Sequence, residues 1–371
     1  MGIAAPAHSF DGSIAFQRTK PRDAGPPRQL EQRISNFVAT ISAAESEQRS
    51  RELFRLGLPG LTSQLRMYPP AGQRPSIVFE AISKEARRVA SVCLPLAIAM
   101  SMHWYPLCAL QCASLTPFSL ARIHRALLLR RVRANNLIIA NAGSDRAVGT
   151  QEPVVASRVR EGFYLRGTYE YMSLESVADV VLMKARVQED GCELLCMAGL
   201  RNPTARIGVG RFSGSMRLSD TASVSFEDHL VPHGRYLILP LSGAVQCLSE
   251  YQRSWFHLLI GDVYLARVER LCLEHRIEVT SQDRVERNEI AHLRAYCLCL
   301  LDDFAPQRDA ARLLLATSTL KLRMSRLARL ASEVLGQVAI QSGDAALRSD
   351  AAELQFIQRQ PTADHKIIES L

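Results

Sequence analysis

The sequence predicts an α+β multidomain protein with three successive parts: a helical N-terminal domain, a central β-barrel domain and a C-terminal four-helix bundle. Apolar residues recur at three-to-four spacing in the first third and again from about residue 249 to the end. Between these regions, short segments rich in β-branched and aromatic residues alternate with Gly, Asn, Asp and Ser. A chain of 371 residues is long enough for two or three packed units.

The N-terminal part divides into a flexible leader, residues 1–28, and a helical domain, residues 29–134. Pro, Gly and charged residues dominate the leader, which lacks the apolar core of a signal peptide. Leu30, Ile34 and Phe37 mark the first amphipathic helix.

The longest apolar run, CLPLAIAMSMHWYPLCAL, covers residues 93–110. Pro95, His103 and Pro106 interrupt it, and basic residues precede it. We therefore expect a buried helix of the helical domain rather than a membrane span. The corresponding expectation is a cytoplasmic protein with no membrane partner.

Residues 135–240 predict the β-domain. Segments such as GFYLRGTYEYMSL, ADVVLMKARV, CELLCMAG and ASVSFEDHLV have the composition of strands and are separated by turn residues. So many short strands need their edges covered, which favours a small barrel or a sandwich.

Residues 241–371 predict the C-terminal bundle. The helical period returns at WFHLLIGDVYLARVERLCLEH and continues through long apolar stripes with few helix breakers. Stripes of this length are typical of a four-helix bundle.

Charge and cysteine content exclude two classes of site. The net charge is +8, but only 5 of the 45 basic residues are Lys, and the arginines are spread along the chain. The densest basic stretch, residues 124–133, has no interleaved aromatic residues, so we expect a solvated helix face and no nucleic-acid partner. The pairs Cys108/Cys112 and Cys192/Cys196 have no nearby His pair. The nine cysteines therefore predict reduced thiols and no metal site.

Two segments of the predicted β-domain resemble those of acyl-CoA dehydrogenases. RLSDTASVSFEDHLVP, residues 217–232, is similar to the family segment in which an arginine–serine strand leads to a Val-Pro corner. EGFYLRGTYEYMSLESVADVVLMKA, residues 161–185, is similar to the strands that precede it, in the family's order and spacing. The resemblance covers roughly residues 30–365.

The resemblance implies FAD bound against an acyl thioester where the β-domain meets the bundle, in a homodimer or homotetramer. The acyl group would be carried by coenzyme A or by an acyl carrier protein. In this chemistry a carboxylate removes the proton on Cα that the thioester carbonyl acidifies, and a hydride passes from Cβ to the flavin. The positive net charge favours an acidic carrier protein, and hence a role in specialised metabolism.

The resemblance assigns flavin contacts to five residues. Tyr171 and Ser173 stand where the family places a ring wall and a hydroxyl near flavin N5, although a core tyrosine and a turn serine would give the same pattern. Ser144, in NAGSDRAVG, matches the family's phosphate-binding Gly-Ser-Asp, which is also a common turn. Arg217 and Ser219 would contact the flavin or the thioester arm, or simply cap a surface strand.

In the bundle, the resemblance places Arg276 at a flavin contact and Arg253 at the substrate arm. The sequence departs from the family around both adenosine-side motifs. Ile277 replaces the expected Phe-Gly, and Glu333 stands in the glycine-rich motif, where its charge would repel a pyrophosphate. The adenosine half of the FAD site is therefore predicted to be altered.

The catalytic base of the family is missing from its usual positions. Residues 358–360 read Gln-Arg-Gln, and the position on the first bundle helix is Gln252, which cannot accept a proton at neutral pH. Glu250, two positions earlier, is the candidate base. A glutamate favoured by the helix dipole near an exposed helix start would give the same pattern.

These observations predict an FAD-dependent acyl-thioester dehydrogenase. One alternative is a flavin-free enzyme of the same fold that performs a cyclisation, elimination or isomerisation, which the missing base favours. The other is a non-catalytic scaffold, which the retained polar residues disfavour.

Overall fold

The computed structural model describes residues 27–44, 46–63, 65–69, 72–113, 120–141, 154–208, 217–238, 244–277, 280–343 and 345–359. Along these ranges the chain forms helices, then a sheet, then helices again, so the predicted fold class is confirmed. Of the predicted leader, only the last two residues lie within the described part, where they begin the first helix.

The N-terminal helices surround one almost completely buried member. They are α1 (Pro27–Ser42), α2 (Glu47–Thr62), α3 (Pro75–Val92), α4 (Leu94–Cys112) and α5 (Leu120–Ala134). A proline near the start of α3 and of α4 costs no helical hydrogen bond, because the N–H groups of a first turn have no partner within the helix.

Helix α4 is the apolar run that the sequence analysis assigns to the interior, and its burial confirms that prediction. Its polar side chains find partners inside the protein. The Trp104 indole N–H donates to the Leu65 carbonyl at 3.0 Å, and the Ser101 hydroxyl donates to the Ala97 carbonyl at 2.7 Å. In the described ranges, no helix has both the length and the hydropathy to cross a bilayer.

The middle part is one curled, mixed sheet that forms a half-barrel. Its strands are β1 (Ile139–Asn141), β2 (Val155–Val159), β3 (Gly162–Met172), β4 (Val180–Val187), β5 (Glu193–Gly199), β6 (Ala205–Ile207), β7 (Ala222–Pro232) and β8 (Tyr236–Ile238). The strand order is β6-β7-β3-β2-β4-β5-β8, and β1 joins β4 in parallel.

The long antiparallel pair β3–β7 determines where the site lies. It runs from Gly162 opposite Pro232 to Met172 opposite Ala222, so the residues after β3 meet those before β7. Gly162 has a φ of 149°, and a Cβ there would stand 2.1 Å from the Val231 carbonyl oxygen. Only glycine allows the two strands to approach this closely at that point.

The C-terminal part contains α6 (Ala244–Glu274), α7 (Ser281–Asp302), α8 (Pro306–Ser342) and α9 (Ala345–Arg359). A capping box starts α7: the Thr280 hydroxyl accepts from the Asp283 N–H, and the Asp283 carboxylate accepts from the Thr280 N–H. Gly343, at a φ of 68°, ends α8.

Two ionic networks join the bundle helices to their neighbours. On α6, Asp262 is fully buried and accepts hydrogen bonds from Ser83 of α3 and Arg294 of α7. Farther along α6, Arg267 donates to Glu353 of α9 at 2.8 Å. Both networks fix the orientation of α6, which carries the predicted base and substrate arginine.

All nine cysteines are free thiols in the structure. Among the described residues, no cluster of His, Cys, Asp and Glu has the arrangement needed to hold a metal ion.

Candidate functional site

Three hydroxyl groups meet where the sheet adjoins α4. Ser173 follows the last residue of β3, Ser219 ends a one-turn 3₁₀ helix, Arg217–Ser219, and Thr221 precedes β7. The Thr221 Oγ1 lies 2.9 Å from the Ser219 Oγ and 3.3 Å from the Ser173 Oγ. The 3₁₀ helix packs on α4, which places this hydroxyl cluster, Ser173, Ser219 and Thr221, against the N-terminal domain.

Main-chain hydrogen bonds hold the two segments of the cluster together. The Leu174 N–H donates to the Ser219 carbonyl at 3.4 Å, and the Glu175 N–H donates to the Asp220 carbonyl at 3.0 Å. Leu174 and Asp220 have positive φ angles of 64° and 54°, so both turns adopt backbone conformations that side chains disfavour. Turns with such backbone angles persist where surrounding contacts hold them. Here the contacts are the two main-chain hydrogen bonds, which also bring the segments of the hydroxyl cluster together.

The Asp220 carboxylate braces the same turn. It is only 6% exposed and accepts from the Ser176 N–H at 2.8 Å and from the Ser176 hydroxyl at 2.7 Å. Burial raises the pKa of Asp220 to about 6, although these hydrogen bonds act in the opposite direction. Asp220, a buried acid with a raised pKa, therefore lies in the chain between Ser219 and Thr221, two members of the hydroxyl cluster.

The structure brings two of the predicted flavin contacts together. Ser173 and Ser219 both belong to the hydroxyl cluster. Tyr171 lies in β3 two residues before Ser173, and Arg217 begins the 3₁₀ helix, so both belong to the same two segments. Ser144 lies outside the described residues.

The predicted base and substrate arginine lie in the N-terminal third of α6. Glu250 is half-buried and Arg253 is exposed. Burial raises the pKa of Tyr105, and the nearby charge of Arg253 opposes this effect. Burial lowers the pKa of His257, and the charges of Lys321 and Arg253 lower it further. Arg253 is therefore close to side chains of both α4 and α6.

His257 and Lys321 form a buried polar group between α6 and α8 that sequence reasoning did not identify. They are 3% and 6% exposed, and the His257 Nδ1 lies 3.2 Å from the Ser318 hydroxyl. The sequence did contain one signal, because His257 follows Arg253 by four residues and so shares its face of α6. Its burial, however, depends on α8.

His103 on α4 is a second polar residue that the sequence analysis did not assign. It is fully buried, and its Nδ1 accepts the Ile139 N–H at 3.0 Å. Burial lowers the pKa of His103 to about 3, so the ring is neutral and carries its proton on Nε2. Among the described residues, that Nε2 has no hydrogen-bond partner, and the ring stands edge-on to Tyr68 at 5.9 Å.

The adenosine-side residues lie far from the start of α6. Arg276 is exposed in the turn after α6, 23 residues beyond Arg253, which corresponds to about 35 Å along a helix. The two arginines cannot contact the same small group within one protomer. Glu333 lies on the exposed face of α8, and its carboxylate is 3.8 Å from the guanidinium of Arg329. Arg329 therefore partly offsets the negative charge expected to repel a pyrophosphate.

The hydroxyl cluster can donate a hydrogen bond to a group outside it. Three hydroxyl groups carry three protons, and the two hydrogen bonds within the cluster use two of them. Among the described residues no other group accepts the third proton, so the cluster can donate it to an outside acceptor.

No protein-family model matches the sequence, and no curated protein is significantly similar to it. Solved structures match over most of the chain. Butyryl-CoA dehydrogenase from Megasphaera elsdenii has a TM-score of 0.64 at 12% identity, covering 95% of this chain and 99% of its own. Methanesulfinate monooxygenase MsuC from Pseudomonas fluorescens has a TM-score of 0.63 at 19% identity, with coverages of 92% and 94%. FMN-bound TdsC from Paenibacillus sp. A11-2 has a TM-score of 0.58 at 16% identity, with the same coverages of 92% and 94%.

These similarities establish the fold, and the resemblance to acyl-CoA dehydrogenases is confirmed at that level. The matched structures include a dehydrogenase and two monooxygenases, since TdsC is a dibenzothiophene monooxygenase. The same architecture thus serves more than one flavin reaction.

Proposed function

We propose that this protein is a flavin-dependent oxidoreductase that binds the flavin ring against the hydroxyl cluster. The observation that carries the proposal is the cluster itself, with two internal hydrogen bonds and one proton left to donate. The fold supports it, because the FMN-bound TdsC and butyryl-CoA dehydrogenase share it. A bound flavin would supply an acceptor for a hydride.

The chain's own residues would orient the ring and exclude water. Ser173, Ser219 and Thr221 would fix its polar edge, and the Asp220 carboxylate would keep the turn that carries Ser173 in place. The buried core of α4 would exclude water from one side of the site.

We propose FMN and FAD as nearly equivalent ligands. In this account the protein contacts the ring, while Glu333 and the replaced Phe-Gly remove specific adenosine contacts. Arg276, in the turn after α6, is too far from Arg253 to share a ligand group with it, so it would reach the cofactor of a neighbouring subunit in a homodimer or homotetramer.

For the substrate we propose an acyl thioester, carried by coenzyme A or an acyl carrier protein. Arg253, exposed near the start of α6, would bind the acidic arm, and the half-buried Glu250 would remove the Cα proton.

A second candidate function is a flavin monooxygenase. The absence of a carboxylate at the family's two usual base positions favours it, because oxygen transfer does not require removal of a Cα proton. The similarity to MsuC and TdsC favours it as well.

Anaerobic mixing of the flavin-loaded protein with acyl thioesters of increasing chain length tests the proposed substrate. We expect the visible flavin absorption to bleach, and Glu250→Gln to slow the bleaching by about 100-fold or more, the usual contribution of a general base. Glu193→Gln, an exposed position at the start of β5, is the matched control and should bleach at the wild-type rate.

A flavin that stays oxidised with every thioester would contradict the dehydrogenase. If the chemically reduced protein then consumes O₂ and oxygenates an added substrate, the monooxygenase is the correct function.

A further inference from the structure

A basic groove runs between the end of α4 and α5, outside the residues assigned to the flavin or the substrate. Its volume is about 540 Å³, and it is lined by Gln111, Arg125, Ala126, Leu129, Arg130, Arg133 and Ala134. The α5 residues occur as adjacent pairs that repeat every four residues, so they form one stripe along the helix. Three guanidinium groups therefore face one concave surface with an apolar floor.

Neutral acceptors hold two of these arginines in position. Arg133 donates to the Gln111 side-chain oxygen at 2.7 Å and to the Pro69 carbonyl. Arg125 donates to the Ala113 carbonyl. Arg130 has no side-chain partner among the described residues. The carbonyl and amide oxygens orient the guanidinium groups without neutralising them, and no carboxylate of the described residues forms an ion pair with these three arginines.

The surroundings add positive charge. Burial lowers the pKa of Arg125, and the charge of Arg122 on the same helix lowers it further. Burial likewise lowers the pKa of Arg235, and the charge of Arg131 adds to the effect. The Asp302 carboxylate, whose charge also acts on Cys112, is engaged by the Ser76 N–H at 2.8 Å and the Ser76 hydroxyl at 2.6 Å.

We propose that the groove formed by Gln111, Arg125, Arg130 and Arg133 is a binding site for the diphosphate group of a small phosphate ester, such as a nucleotide or a phosphorylated coenzyme. Oriented guanidinium groups bind phosphate oxygens in pairs, and their uncompensated charge favours a dianion or trianion. The site does not depend on the proposed oxidoreductase function, because it shares no residue with it.

The dimensions favour a small ligand over a nucleic acid. Arg125 and Arg133 are eight residues apart, which is about 12 Å along the helix, enough for two or three linked phosphates. The volume lies in the range of small-molecule sites, and the apolar floor of Ala126, Leu129 and Ala134 would accept an organic group. The sequence predicted a solvated helix face for residues 124–133, whereas in the structure this part of α5 lines a groove together with the end of α4.

Calorimetric titration of the full chain with inorganic pyrophosphate, ADP and coenzyme A tests the site. We expect all three to bind, with affinities that fall as salt rises. Ala126→Glu adds a carboxylate to the groove and keeps every arginine. The carboxylate repels a phosphate and competes for the guanidinium groups, so it should weaken binding at least tenfold. Ala126→Gln has nearly the same size without the charge and should bind within about threefold of wild type.

Arg130→Gln should weaken binding by a similar factor, while Arg326→Gln, an exposed arginine on α8, and Ser219→Ala, in the hydroxyl cluster, should not. No binding of pyrophosphate at about 1 mM would overturn the proposal. The proposal would also be overturned if Arg326→Gln weakened phosphate binding as much as Arg130→Gln. The same holds if Ser219→Ala weakened phosphate binding and Ala126→Glu did not. Tight binding of a DNA duplex without binding of the small phosphates would assign the groove to nucleic acid instead.

Discussion

Replacing Arg294 by methionine is expected to lower the free energy of unfolding by about 3–5 kcal/mol. The Arg294 Nε lies 3.0 Å from both oxygens of the fully buried Asp262, and its two terminal nitrogens bind Glu80, each at 2.8 Å. Burial already raises the pKa of Asp262, and Arg294 is the main opposing charge. Among the described residues, methionine would leave the buried carboxylate with the Ser83 hydroxyl, at 2.5 Å, as its one hydrogen-bond partner.

Urea denaturation measures this effect. Arg284→Met, at an exposed position of the same helix, is the control and should change stability by less than about 0.5 kcal/mol. The double variant Asp262→Asn/Arg294→Met should be more stable than Arg294→Met alone, since it no longer buries an unpaired charge. A loss below about 1 kcal/mol in Arg294→Met would show that this network does not stabilise the contact between α3, α6 and α7.

The Asp220 carboxyl makes stability depend on pH. Its pKa rises from 3.8 in the unfolded chain to about 6 in the folded protein. At low pH the group is protonated in both states, and its contribution to stability is fully present. As pH rises, the unfolded state ionises first, so stability is lost until pH exceeds the folded pKa. The shift corresponds to at most about 3 kcal/mol between about pH 4 and pH 6.5.

Asp220→Asn cannot ionise but retains an oxygen to accept from Ser176. As pH rises through this interval, we expect the free energy of unfolding of Asp220→Asn to increase relative to that of the wild type. Glu161→Gln, an exposed control in the β2–β3 turn, should follow the wild-type curve. Parallel curves for Asp220→Asn and wild type would mean that Asp220 does not titrate as a buried acid.

Sequence patterns predicted the fold well because each part depends on local periodicity. The run at 93–110 is buried as predicted. One of its prolines lies near the start of α4, and the other lies inside the helix in the protein core. The segment GFYLRGTYEYMSL contains β3 almost entirely, because its alternation and its glycines at 162 and 167 match a strand that approaches its neighbours closely.

The site was only partly predictable, because its geometry depends on contacts between distant residues. Ser173 and Ser219 were assigned through a resemblance, but their meeting through Thr221 depends on the β3–β7 register. Asp220 was missed because Ser-Asp-Thr has the composition of a turn, and its partner Ser176 is 44 residues away. A helix pattern alone likewise could not show that α5 turns its arginines into a groove.

Equilibrium titration of the purified protein with FMN and FAD, followed by flavin absorbance and fluorescence, tests the central claim most directly. We expect roughly micromolar or tighter binding of both flavins. Ser173→Ala/Ser219→Ala should weaken it at least about tenfold, whereas Ser63→Ala, in an exposed helix end, should not. A protein that leaves both flavin spectra unchanged, or a double variant that binds as tightly as wild type, would contradict a flavin site at the hydroxyl cluster.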